Sequence, residues 1–499
     1  MQSYKTLLLT LILALNHNLT IGQNPKHEMR GIWVATVKNL DWPSKPGLTP
    51  QQQRKEADRI LMHIKELGFN SVFLQVRPSS DALYKSPIEP WTKYLTGTQG
   101  DGPRPFYDPL KYWIDKAHSM GIELHAWINP FRVGFTPFEE LDRRHPLLKH
   151  PDWIVNYGDR LYLDPGIPEV HNYINRIITD ITRRYDIDGI HLDDYFYPYP
   201  VKGVEFPDSL TQAIYRDKTR FVTIDDWRRD NVNKIVTLLH TTIKSIKPWV
   251  SFGISPFGVW RNASDDPNGS DTEAGTTTYD GLYGDALAWM KNGLVDYIAP
   301  QIYWYMDHPA ASFSTLAQWW NDNSNNTPVY TGIGIYKINQ DRSGWESPDE
   351  VPQQLRLCRE LPDIKGNIFF RYSFLKTDLY GLQDTLRNNF YSTIALTPPV
   401  KSTVTEEPLS IKRVKASRKK LKWKTDKEEK EKIKWFIIYS YPEGEEFNPY
   451  SGKQILAVTP PDANSFLLFT KKGSKINYRI SAVDKFGNEG DISKEVRAK

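Results

Sequence analysis

With 499 residues, 39% of them hydrophobic and 25% charged, the chain is long enough for about two to four domains and too apolar to be disordered as a whole. A net charge of only +4 gives no reason to expect nucleic acid as a partner, and a single cysteine, Cys358, excludes both an internal disulfide and a thiolate metal cluster. Aromatic residues at 13%, 16 Trp among them, suit the stacking of sugar rings as well as a large core.

Lys5 and an apolar run from Thr6 to Leu15, followed by a polar stretch ending at Gly22, form the pattern of a secretory signal over 1–22. The run is too short for a bilayer, which takes about 20 apolar residues. The expected product is therefore exported, periplasmic or secreted, with no transmembrane segment once the signal is removed. From 29 to 391, strand-like runs alternate with helix-length segments. The runs begin at Met29, Asn70, Ile122, Gly189, Ser251, Tyr297, Val329 and Asn367. The helical segments are 50–67, 109–118, 167–185, 224–246, 281–291, 312–323, 349–361 and 377–389. Eight of each predict an α/β fold, a (β/α)8 TIM barrel. Long connections follow the first five strands, whereas LGFN from Leu67, MGIE from Met120 and NGLVD from Asn292 are tight and turn on a Gly suited to a helix C-terminus. One rim is elaborated, and in this fold that rim carries the active site. A linker over 392–405 leads to short strands over 406–499, read as a small all-β sandwich. The Lys-rich hairpin between Lys412 and Lys434 suits either an anionic polymer or a solvated strand face of alternating charges.

The segment DGIHLDDYFYP, from Asp188, runs from an apolar strand into acids and aromatics. Alternation puts Ile190 and Leu192 on one face and His191, Asp193 and Tyr195 on the other. A capping Asp at a strand end is the plainer alternative, but two acids, a His and three Tyr crowd this one. Taking the apolar set of every strand as outward leaves a polar interior. Gln75 and Arg77 face it from the second strand, Glu123, His125, Trp127 and Asn129 from the third, Ser255 from the fifth, and Gln301 and Tyr303 from the sixth. Glycoside hydrolysis usually needs two carboxyl groups. Asp193 is the first candidate, with Tyr195, Tyr197 and Tyr199 to bound a sugar and raise its pKa by desolvation. Asp194 is the second, its side chain turned away from Asp193 unless the strand has already ended. A loop acid can supply the partner instead: Asp41, Asp81, Glu205, Asp271, Glu273 or Asp307. Trp42, Trp91, Trp260 and Trp304 are candidate stacking platforms or loop pins. Arg77 and Arg132 are candidate forks for a ligand carboxylate, or partners of loop acids. No cofactor is expected. An alternative, a metal-dependent hydrolase or deacetylase on His125, His191 and Asp193, places His191 about 6–7 Å below Asp193, long for shared coordination.

The segments RGIWVAT (from Arg30), QVRPSSDALYKS (Gln75), DPLKYWIDKAHSMGIELHAWINPFR (Asp108), DGIHLDDYFYP (Asp188), SFGISPFGVWRN (Ser251) and DYIAPQIYW (Asp296), in this order, resemble the glycosyl-hydrolase-like 10 family of exported bacterial proteins. The resemblance implies a (β/α)8 glycoside-hydrolase-type domain, in some members followed by a fibronectin type III module. It also implies, for some members, cleavage of peptidoglycan glycan strands stripped of stem peptides. Carried onto this sequence, it implies Asp193 and Asp194 as the catalytic carboxylates, with Arg77, Asp81, His125, Asn129, Arg132, Gln301 and Tyr303 contacting substrate. The strand reading adds His191, Tyr195, Trp304 and Trp42. Residues 406–499 resemble a fibronectin type III domain, with Trp423 as its core Trp. A more distant likeness to the chitinase pattern DGxDxDxE keeps Asp193 but puts His191 and Tyr195 where acids would stand. Strand six also ends in Gln301, where several barrel glycosidases carry a carboxylate. The expected activity is hydrolysis of O-glycosyl bonds in a cell-wall polysaccharide, with a non-catalytic carbohydrate-binding barrel as the alternative.

Overall fold

The structure, a computed structural model, describes residues 25–135, 140–338, 343–401, 407–469 and 474–498. The expected signal over 1–22 and residues 402–405 of the expected linker lie outside the described residues.

Eight parallel strands close into a ring. They are β1 (Met29–Val34), β2 (Ser71–Arg77), β3 (Glu123–Ile128), β4 (Gly189–Leu192), β5 (Ser251–Ile254), β6 in two short pieces (Tyr297–Ile298 and Gln301–Ile302), β7 (Val329–Ile333) and β8 (Ile364–Phe369). Closure comes from β8 pairing back onto β1. This is the TIM barrel that the strand count predicts. Alternation separates two cores. Val72, Leu74 and Val76 of β2 and Ile190 and Leu192 of β4 face the helical layer, while Trp33, Phe73, Trp127, Tyr297 and Tyr330 pack inside the ring.

Helices α1 (Pro50–Glu66), α2 (Pro109–Ser119), α3 (Pro168–Arg184), α4 (Ile224–Ile246), α5 (Ala286–Lys291), α6 (Phe313–Asp322) and α7 (Glu350–Glu360) fall within the expected segments, save that α2 runs one residue past its expected end. Local signals explain their starts: Thr49 and Gln52 form a reciprocal capping box on α1, and Asp108 caps α2 ahead of a proline. The eighth segment differs. It is a 3-10 turn (Leu379–Gly381), one α-turn (Leu382–Thr385) and a π-turn (Leu386–Phe390), because Tyr380 and Gly381 adopt φ of 53° and 71°, which interrupts a right-handed helix. β8 also begins three residues earlier than expected, and β6 breaks at Pro300, which has no N–H for a ladder.

The two rims are unequal as expected. Gly68, Gly121 and Gly293, in the tight αβ turns, have φ of 84°, 67° and 62°. On the other side, the loop after β3 carries a three-stranded antiparallel sheet (Arg132–Phe135, Ile154–Tyr157 and Arg160–Leu163). Beyond the barrel the chain forms two antiparallel sheets. One has three strands, Arg413–Ser417, Lys420–Lys424 and Ser465–Leu467; the other has four, Ile455–Thr459, Ile433–Pro442, Ile476–Asp484 and Val496–Arg497. Trp423, Phe436, Tyr478 and Ile480 share their core. Lys434 joins this region to the barrel floor, its Nζ lying 2.6 Å from Glu123 and 2.9 Å from Asp188 at the starts of β3 and β4. Among the described residues no helix is long and apolar enough to cross a membrane.

Candidate active site

β4 ends at Leu192, so Asp193 and Asp194 stand in the loop beyond it, released from the alternation that would send adjacent side chains apart. Each is 4% exposed. Asp193 Oδ2 accepts hydrogen bonds from Asn129 Nδ2 at 2.9 Å and Trp127 Nε1 at 3.3 Å, both at the upper end of β3. Its Oδ1 is buried without a partner. Burial, reinforced by the charge of Asp194, lifts Asp193 to about 7, against the opposing pull of Arg132, Asn129 and Trp127. Near neutral pH a large share of Asp193 is therefore protonated. With Oδ2 taken by two N–H donors, the proton belongs on Oδ1, giving an O–H with no acceptor among the described residues. Asp194 accepts from the Tyr199 hydroxyl and the Gln301 side chain, and burial raises its pKa as well.

Arg132 is the cation of the site. Its guanidinium lies 4.8 Å over the Tyr195 ring and donates to the Pro78 carbonyl at 3.4 Å, while its Nε is buried without a partner. Half-buried Tyr195, Tyr199, Gln301, Tyr303 and Trp304 surround the two acids. Ring contacts join this rim, with Tyr199 at 6.0 Å from Phe257, Phe257 at 5.4 Å from Trp304 and Tyr303 at 5.5 Å from Phe370. Burial pushes the Tyr195 hydroxyl up to about 12 and that of Tyr303 well up too, so both remain neutral donors.

The expected histidine contacts sit deeper. His191 Nε2 accepts from Trp33 Nε1 at 3.2 Å and lies 3.0 Å from Ser255 Oγ, and its Nδ1 lies 3.0 Å from the Tyr297 hydroxyl. Burial holds His191 well below its ordinary pKa, so it is neutral, with its proton on Nδ1. That proton goes to Tyr297, whose own hydroxyl lies 3.1 Å from His125 Nδ1, and His125 Nε2 faces Glu123 at 3.4 Å. Both histidines are links in an interior chain rather than members of the mouth. Among the described residues no three His, Cys, Asp or Glu side chains come together as a metal site, so the His125, His191 and Asp193 alternative lacks its geometry.

Two further placements depart from expectation. Arg77 is fully buried and forks Glu89 at 2.6 and 2.9 Å, its Nη1 donating to the Asn129 and Pro130 carbonyls, so its donors are engaged within the protein. Trp42 is also fully buried, bonding the Gln53 carbonyl at 3.0 Å and meeting Trp113 edge-on at 5.3 Å; it pins its loop. Trp91 and Trp260 are buried too, which leaves Trp304 as the half-buried indole of the four. Of the loop acids, Asp41 is tied to Arg371 at 2.8 Å, and Glu205, Asp271, Glu273 and Asp307 are exposed. Asp81 is buried, raised to about 7 by that burial, and bonded by Ser79 and Gln99. Sequence reasoning did not assign Glu89, a lone acid in an irregular loop. Trp127 was legible as inward-facing, but not as a donor to Asp193.

The sequence model of the family described as Glycosyl hydrolase-like 10 matches residues 28–347. Glycosyl hydrolase YngK of Bacillus subtilis strain 168 is 46% identical over 376 residues, covering 74% of this chain and 73% of that protein. Glycosyl hydrolase DigH of Escherichia coli strain K12 is 42% identical over 378 residues, 71% of this chain and 85% of that protein. The PgaB (BpsB) glycoside hydrolase domain of Bordetella bronchiseptica aligns over 72% of this chain and 99% of its own, at 12% identity and a TM-score of 0.46, too distant to bear on the site.

Proposed function

The chain belongs to the glycosyl hydrolase-like 10 family, and from that premise we propose that it is an exported glycoside hydrolase acting on peptidoglycan glycan strands or a related cell-wall glycan. The observation that carries this reading is Asp193, a buried carboxyl raised to about 7 with one oxygen fixed by two N–H donors and the other left for a ligand. A general acid works best with a pKa near the working pH. Asp193 Oδ1–H protonates the departing glycosidic oxygen. As that bond breaks, positive charge develops on the sugar ring and the anomeric carbon ends bonded to the oxygen of a water, whose proton restores the carboxyl that gave one up; Asp194, oriented by Tyr199 and Gln301, supplies the second carboxyl for that exchange. The half-buried rim of Tyr195, Tyr303 and Trp304 supplies ring faces and hydroxyl donors to the sugar. Arg132, with an unpartnered Nε, suits a ligand carboxylate, and a glycan strand freed of its peptides presents such carboxylates along its length.

For the C-terminal region, three strands in one sheet and four in the other, with Trp423 in the shared core, support the fibronectin type III-like reading. The test of function is digestion of peptidoglycan strands with and without stem peptides, read by the masses of released saccharides. We expect products from the stripped strands, and a rate about 10² to 10⁴ lower for Asp193→Asn. Tight binding of those strands with no cleavage would leave the barrel a carbohydrate-binding domain and overturn the catalytic reading.

A further inference from the structure

Strand pairing in the C-terminal region sets like charges face to face. Arg413 lies opposite Lys424 and Lys415 opposite Lys422. Val414, Ala416, Leu421 and Trp423 fill the inner face, so alternation puts all four basic side chains on the outer one. All four are exposed, and among the described residues none has an acidic side chain within ion-pair distance. Opposed like charges destabilise an antiparallel pair. A solvated face of alternating charges would instead set bases against acids, as Lys412 and Asp426 do nearby at 2.8 Å. The same hairpin borders a groove of about 550 Å³, lined by seven basic side chains against the two acids Asp426 and Asp462.

We propose that this face docks a linear acidic glycan, a carboxylate-bearing polysaccharide laid along the hairpin between the paired bases. Lysine outnumbers arginine here, which suits a line of charge read along its length rather than one group held in a fixed fork. The proposal rests on the glycosidase reading only in choosing a glycan over other polyanions. The face itself lies outside residues 28–347, where the family match falls.

The experiment measures binding of the full chain to polygalacturonate and to neutral amylose, at low and high salt, against a Lys415→Gln/Lys422→Gln variant. We expect wild type to bind the acidic polymer alone, to weaken at least tenfold on raising the salt, and the variant to bind at least tenfold more weakly. The variant's thermal midpoint should be unchanged or higher, since an opposed like-charge pair has been removed. Equal binding by wild type and the lysine variant overturns the proposal, as does preference for polyphosphate or single-stranded DNA of equal length. Unfolding of the lysine variant is tested around by Arg413→Gln/Lys424→Gln, which must show the same loss. Docking without cleavage sinks the catalytic reading alone, and cleavage without docking sinks this one alone.

Discussion

A carboxyl lifted by burial destabilises the fold at every pH where it ionises, which makes Asp193 testable without any substrate. It ionises near 3.8 when unfolded and at about 7 when folded. Between those values the folded state holds more protons, so stability falls as pH rises through that window, by up to about 4 kcal/mol at its upper end. Asp193→Asn abolishes this loss. Urea unfolding should show the variant close to wild type near pH 4 and more stable by about 2–4 kcal/mol at pH 8; an equal difference at both would place the titration elsewhere. The positive charge of Arg132 holds Asp193 down, so Arg132→Met should move the alkaline limb of kcat/KM, near pH 7 in wild type, to higher pH while lowering the rate. Asp81 shares the value of about 7, and Asp81→Asn leaves that limb in place if Asp193 is the acid. At this scale the sequence was informative wherever period two held: Asn129 and Trp127 followed from β3, but the hydrogen bonds they make to Asp193 depend on where β4 stops.

The elements were legible where helix-length segments alternate with strand-like runs, as at α1, α2 and α4, and illegible where the chain leaves regular structure. The segment 377–389 has helical composition, yet the left-handed turn at Tyr380 and Gly381 breaks it. Arg77 shows the same limit. Alternation gives its inward direction, but its partner Glu89 comes from a loop without a period, and Tyr173 of α3 closes the group by donating to Glu89 at 2.7 Å. This cluster ties β2, its loop and α3 together. Arg77→Met strands a buried carboxylate and should lower unfolding free energy by about 3–5 kcal/mol, whereas Arg77→Met/Glu89→Leu should recover most of that loss. Equilibrium denaturation of the two variants decides it. A stable Arg77→Met protein with a raised KM would return Arg77 to the substrate.

At the scale of the whole molecule, one polar line runs through the barrel, from Trp33 and His191 through Tyr297 and His125 to Glu123, and ends on Lys434 of the C-terminal region. The sequence hid that last link, since Lys434 stands in a Lys-rich stretch and Asp188 reads as part of the acidic segment above it. Burial, the largest single influence, would raise Glu123 and Asp188; Lys434 together with His125 at Glu123, and with His118 and the Leu124 N–H at Asp188, outweighs it and holds both below the usual carboxylate range. Groups so depressed contribute stability that is present above their unfolded pKa and lost as pH falls toward the folded one. His118 works in the opposite sense: despite burial, Asp188 raises it, so its share is complete below 6.5 and fades as pH rises through its folded value. Lys434→Met takes the lysine charge from two carboxylates buried beneath β3 and β4 and leaves them to their histidine partners, at a cost of about 3–5 kcal/mol. In calorimetry at pH 7, we expect the wild-type barrel and sandwich to unfold in one transition and the variant to split into two. The gap between the two proteins should narrow below about pH 4, where protonation removes the charges that Lys434 neutralises. A gap that stayed constant down to pH 3 would mean that Lys434 acts through packing of its stem rather than through its charge.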